Sequence, residues 1–288
     1  MKKRNIFFRL AAFFFALSLV FALLSCGSGS KDDAETSTSS TVALPDEDSK
    51  SKISDGTFNY TLYKTYAEVS EYLGGDAVVI IPPSVEGLPL MSIGKSAFEY
   101  NKTITTVIMP DSLTNIGNYS FRGCTNLVSV NFPDGLVAVG NYAFVSTGLT
   151  DLIFPDSLTV LGKYCFAETK ITKLTMPRYI AKTNDYMFCG CPNLVEFELP
   201  ECMTKIANRM FYNCDALTVV TVPDFVTEID DYAFSGCDSL TDIYIPATVT
   251  TLGEGVFIGS DNITIHTPAG SAAEIYASHY KISCDNNI

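Results

Sequence analysis

The segment Leu240-Thr-Asp-Ile243-Tyr-Ile245-Pro246, followed by Val249-Thr-Thr-Leu252-Gly253 and then Phe257, contains one complete structural unit of this chain. Its start alternates: Leu240, Ile243 and Ile245 fall on one side, Asp242 and Tyr244 on the other. That period of two predicts a short strand. Pro246 ends it, because proline has no N–H for further pairing. Val249 and Leu252 then dip back toward the apolar side, Phe257 fills the middle, and a turn leads to the next unit.

The same pattern recurs along the chain. Prolines close the strand at Pro110, Pro133, Pro155, Pro177, Pro200, Pro223 and Pro246, in steps of 22 or 23 residues. Phenylalanine keeps phase with them at Phe98, Phe121, Phe144, Phe166, Phe188, Phe211, Phe234 and Phe257. A unit this short cannot bury its apolar side alone, so the units must stack. The fold expected is an α/β-type repeat solenoid, with units of 22–23 residues forming a parallel β ladder closed by terminal caps. The residue before each Phe is mostly small, as Ala97, Ser120, Ala143 and Ala233 show.

This pattern resembles the BspA-like, or treponemal-type, leucine-rich repeat of bacterial surface proteins. The opening Val78-Val-Ile-Ile-Pro82, with Gly87 and Ile93-Gly94 after it, is similar to that family's longer first repeat. The ending Pro268-Ala-Gly270-Ser271, running to Tyr276, is similar to its capping helix. The resemblance covers about residues 75–282. It implies an exported protein that binds other proteins, since some members are described as adhesins for host matrix or neighbouring bacteria. A fold does not by itself dictate a site.

Residues 1–25 begin with Lys2, Lys3, Arg4 and Arg9, and an apolar run follows as far as Leu24. That is the layout of an export signal. The run ends in Leu23-Leu24-Ser25-Cys26-Gly27, which resembles a lipobox and would make Cys26 a lipidated N-terminus attached to a membrane. Removal of 1–25 leaves 15 Lys+Arg against 32 Asp+Glu, a net charge of −17. Such an acidic surface repels phosphate backbones, so nucleic acid is not an expected partner. Residues 26–57 are rich in Ser, Thr, Asp and Gly and read as a flexible tether. Folded sequence is expected over 58–266, starting with an N-terminal cap that contains Phe58, Tyr60, Leu62 and Tyr63. A C-terminal cap is expected over 267–288.

The nine cysteines do not read as a disulfide framework. Cys124, Cys191, Cys214 and Cys237 each lie three residues after the repeat Phe, where other units have Asn101, Thr147, Thr169 and Ser260. A place that accepts Cys, Asn, Thr or Ser predicts a polar ladder to buried backbone groups. Stacking would put cysteines of adjacent units about 4.8 Å apart, which leaves a disulfide between rungs open. Cys189-Gly-Cys191 with Cys202 lacks the clustered His of a metal site. His266 and His279 have no evident nucleophile, although Cys284 lies near His279 in sequence. Glu196 and Glu198 share a strand face, but an open ladder offers no pocket to shift their pKa values. No cofactor is expected, and neither is an enzyme.

The binding candidate is the outward side of the strands: Ile108, Asn131, Asp151, Ile153, Lys173, Thr175, Glu196, Glu198, Val219, Thr221, Asp242 and Tyr244, with Thr106 and Ser129 beside them. No aromatic stripe suited to sugar rings stands out there. The function expected is a membrane-anchored lipoprotein at the cell surface or outer membrane that presents this face to protein. The alternative is a periplasm-facing lipoprotein with a structural or assembly role.

Overall fold

The computed structural model describes residues 51–180 and 184–287. Cys26 and residues 1–50, including the expected signal and most of the tether, lie outside them. The chain forms a parallel β-solenoid, with one helix, α1 (Ala272–Tyr280), among the described residues.

The chain enters through an antiparallel cap: β1 (Ser51–Ser54) pairs with β2 (Phe58–Leu62), which pairs with β3 (Ala67–Tyr72). The expected tether boundary at residue 57 is therefore too late. The first strand is polar, but its pairing is made by backbone groups, which composition does not report. Asp55-Gly56 forms the hairpin turn, and Asp55 accepts the N–H groups of Thr57 and Phe58 and the Tyr60 hydroxyl. Burial opposes the charge on Asp55, yet these hydrogen bonds hold its carboxyl below the usual range.

Two parallel ladders then run the length of the solenoid. The first starts with β4 (Val78–Ile80), which pairs with Thr106–Ile108 and then Ser129–Val130. It continues as Lys173–Thr175 with Glu196–Glu198, and ends as Val219–Thr221, Asp242–Tyr244, Thr264–His266 and Ser283–Asp285. The second arises where each unit dips back to the core. After the hairpin partner β5 (Ser84–Val85), it runs from β6 (Leu88–Ile93) through Asn115–Ile116 and Ala138–Val139 to Val160–Leu161. Beyond the undescribed residues 181–183, it comprises Lys205–Ile206, Glu228–Ile229 and Thr251–Leu252. Pairing of β3 with β6 makes the cap continuous with this second ladder.

A third ladder has no strand signature. Around each Phe the backbone alternates, with left-handed φ two residues before it and two after, as at Tyr142 (57°) and Ser146 (56°). The alternation turns successive N–H groups to one side. Three N–H groups in each unit thus donate to the next: Tyr232 to Glu254, Phe234 to Val256 and Gly236 to Ile258, and likewise at every earlier step. What the sequence presents as a turn is a hydrogen-bonded rung.

The core follows the expected phase. From Phe98 to Phe257 the eight rings form one near-parallel column, with centroids 4.7–6.3 Å apart. Tyr72 stacks on the first ring at 5.1 Å, and Tyr276 of α1 meets the last edge-on at 5.9 Å. Each end of the column is therefore covered by an aromatic from a cap. Ser271 caps α1 by accepting the N–H of Glu274.

Candidate functional site

The outward row of the first ladder is the surface where strand geometry exposes side chains in a regular array. Ile108 projects from its strand beside Ile80 of β4, in register, and both are exposed, as is Val78. Val78 and Ile80 were missing from the expected face, although the alternation at Val78-Val79-Ile80, with Val79 buried, carries the signal. Among the described residues, Ile153 is the most exposed large apolar side chain, at 86%.

Three of the expected strand positions, Asp151, Ile153 and Asn131, lie outside strands. The unit of Asp151 and Ile153 is one residue shorter, with Gly148 alone between Thr147 and Leu149, but the next unit is shortened in the same way at Lys170 and still forms the strand Lys173–Thr175. Asn131 lies just past Ser129–Val130, and its amide both accepts the Met109 N–H (2.7 Å) and donates to the Met109 carbonyl (3.0 Å). A side chain competing for backbone groups ends the ladder there. Asn131 is thus a structural residue, and its amide is already engaged.

The middle of the row is ionic. Lys173 sits 3.1 Å from Glu196 and 4.0 Å from Glu198, and Thr175 donates to Glu198. The hydrogen bond from Lys173 to Glu196, then the nearby charges, raise the Lys173 pKa. Exposed pairs of this kind contribute little stability. Glu196 and Glu198 are charge partners of a lysine on an open surface, an arrangement that does not make an acid–base pair.

Toward the C-terminal end, Val219 and Thr221 stay exposed, while Asp242 and Tyr244 are drawn together by His266. The imidazole stacks on Tyr244 at 4.4 Å, and its Nε2 lies 2.8 Å from Asp242. Its Nδ1 is 3.5 Å from Asp285 on the terminal strand. The hydrogen bond with His266 holds the Asp242 carboxyl below its usual value. His266 therefore ties the last strand to the face and has only 13% of its side chain exposed. The Cys284 thiol donates to Asn286, and His279 meets Tyr280 edge-on.

The polar ladder follows the predicted spacing. Cys124, Cys191, Cys214 and Cys237 donate to the Phe carbonyl of the preceding unit, and Ser260 does the same. Thr147 and Thr169 turn back to their own Phe carbonyl. All eight cysteines of the described residues are free. Burial pushes the Cys237 thiol up to about 12, well removed from a reactive thiolate.

An aromatic stripe does exist, away from the strand face. Tyr119, Tyr142, Tyr164 and Tyr186 stack with centroids 4.2–5.0 Å apart, and Arg209 lies between Tyr186 and Tyr232. Their signal in the sequence is a Tyr two residues before the repeat Phe. Their faces cover one another, so no ring plane is left for a sugar, and the stack offsets the left-handed backbone at each Tyr.

Residues 91–201 and 159–285 match the family model described as the BspA type leucine rich repeat region, in six copies. A leucine-rich repeat protein from Bacteroides ovatus is 22% identical with a TM-score of 0.60, over 82% of this chain and 66% of that one. The T. pallidum leucine rich repeat protein is 24% identical with a TM-score of 0.53, over 82% of this chain and 98% of that one. A leucine-rich repeat protein from Eubacterium ventriosum is 19% identical with a TM-score of 0.52, over 77% and 73%. At these identities the structures speak for fold. Comparison with curated protein sequences returns no match. With its repeats matched over most of its length, and a solenoid suited to protein interaction, the chain belongs to the BspA-type leucine-rich repeat proteins.

Proposed function

We propose that this protein is an exported, membrane-anchored lipoprotein that displays the first-ladder face to protein partners, including host matrix proteins or the surfaces of other cells. The observation that carries the reading is the exposed apolar set Val78, Ile80, Ile108 and Ile153 at the N-terminal end of that face. Aliphatic side chains exposed along one face serve as anchors when a partner covers them. The charged centre around Lys173 and Glu196 would set orientation more than affinity. No step of catalysis is assigned to the chain. The described residues hold no group of three or more His, Cys, Asp or Glu placed for a metal.

The anchor rests on the order of features in residues 1–27: basic start, apolar run, Leu-Leu-Ser-Cys. Protease treatment of intact cells tests display. The proposal expects cleavage within 51–288 without permeabilisation. Protection until the envelope is broken would favour the periplasm-facing structural role instead.

A further inference from the structure

In the third ladder, the N–H two residues after each repeat Phe donates to a carbonyl of the next unit, from Tyr100 to Arg122 through Gly236 to Ile258. The last unit has no successor. Tyr276 of α1 sits over this end, its hydroxyl accepting the N–H of Val256, the residue before the last repeat Phe, at 2.9 Å. The next donor outward, the Gly259 N–H, has no partner among the described residues. Gly259 lines a cleft of about 470 Å3 between residues 257–264 and the end of α1, with Asp261, Asn262, Tyr280 and Lys281 around it. A volume of this size suits a small ligand or one end of a larger one.

We propose that this cleft binds a carboxylate group, one oxygen of which serves the Gly259 N–H as the next unit's carbonyl serves its counterparts. Every equivalent donor in the solenoid is matched to an sp2 carbonyl oxygen, so an oxygen of that type fits this end of the ladder. Hydrogen bonds in chains polarise one another, and alternating left- and right-handed residues turn their N–H groups to one side, as in anion-binding nests. Negative charge is favoured at such an end. Lys281, exposed and held at the left-handed C-cap of α1 (φ 60°), supplies the countercharge and has no ion pair among the described residues. Asp261 on the same cleft opposes the ligand, so its charge tunes affinity downward. The cleft borders the first ladder at Thr264 and Ser283, but the proposal does not depend on the face farther along binding protein.

The test is an amide NMR titration of the full 15N-labelled chain in detergent micelles with N-acetylglycylglycine, its C-terminal amide, and methyl glucuronide. The Gly259 amide resonance is expected to shift saturably with at least one acid and several-fold more weakly with the amide. Lys281→Ala weakens that binding about threefold and Asp261→Asn tightens it by a similar factor, as for exposed charges. Saturation by the peptide acid alone assigns the carboxylate to a chain terminus, and by the glucuronide alone to an acidic sugar. No saturable shift at Gly259 with either acid, or equal binding of acid and amide, overturns the proposal.

Discussion

Phe166→Ala is expected to destabilise the solenoid by about 3–5 kcal/mol and to split its unfolding into two transitions. Phe166 is fully buried at the centre of the column, 5.2 Å from Phe144 and 6.0 Å from Phe188. Phe132 and Phe154 also press edge-on against it. Truncation leaves a cavity that the rungs on either side cannot fill, because their spacing is set by three backbone ladders. In a stacked array each unit is coupled only to its neighbours, so a hole in the middle separates two halves that had unfolded together. Phe257→Ala, at the end beneath Tyr276, should lower the midpoint with a single transition kept. Urea denaturation followed by circular dichroism distinguishes the two. A single unshifted transition for Phe166→Ala would mean that the column is not the core.

Gly162→Ala should cost about 3 kcal/mol, which is large for one added methyl. A Cβ at Gly162 would lie 2.5 Å from the Asn141 nitrogen and 2.5 Å from the Gly140 carbonyl carbon. Both are backbone atoms of the adjacent rung and have no rotamer by which to yield. The position permits larger residues elsewhere, as Asn184 and Ala207 show, so the cost belongs to the place where glycine stacks on glycine. Gly75→Ala is the control. No atom lies within 4 Å of its added Cβ, and the change should stay within about 0.5 kcal/mol. Equal melting temperatures for the two variants would refute the close approach.

Side-chain periodicity makes the solenoid legible in the sequence. The prolines and phenylalanines set the phase of the units, and the Cys/Thr/Ser/Asn position marks the buried polar ladder. What the sequence hides is mostly backbone. The third ladder depends on left-handed residues that are mostly Tyr before the Phe but Tyr, Ser, Glu, Asn or Gly after it, so side-chain chemistry does not announce a hydrogen-bonded rung. The first cap strand is hidden by its polar residues, although Asp55-Gly56 is a hairpin signal that reading for apolar residues passes over. The binding face is half legible. Alternation locates Ile108, Lys173, Val219 and Tyr244 correctly, because exposure on a paired strand follows from the pleat. At Asn131, whose amide bonds to Met109, and at Asp151 and Ile153 the strand is absent, yet all three side chains are exposed as the alternation predicts. The link between His266 and Asp242 joins residues 24 apart, a distance at which the pattern within a single unit is silent.

The most direct test of the binding face is adhesion of the purified chain to surfaces coated with extracellular-matrix protein, compared with the double variant Ile108→Asp, Ile153→Asp. Both side chains are exposed, so the variant should keep the parent's circular dichroism and melting temperature. If the face holds the partner, binding falls about tenfold or more, as for apolar anchors lost from an interface. Adhesion that is unchanged in a folded double variant would contradict the account and move the binding surface elsewhere on the solenoid.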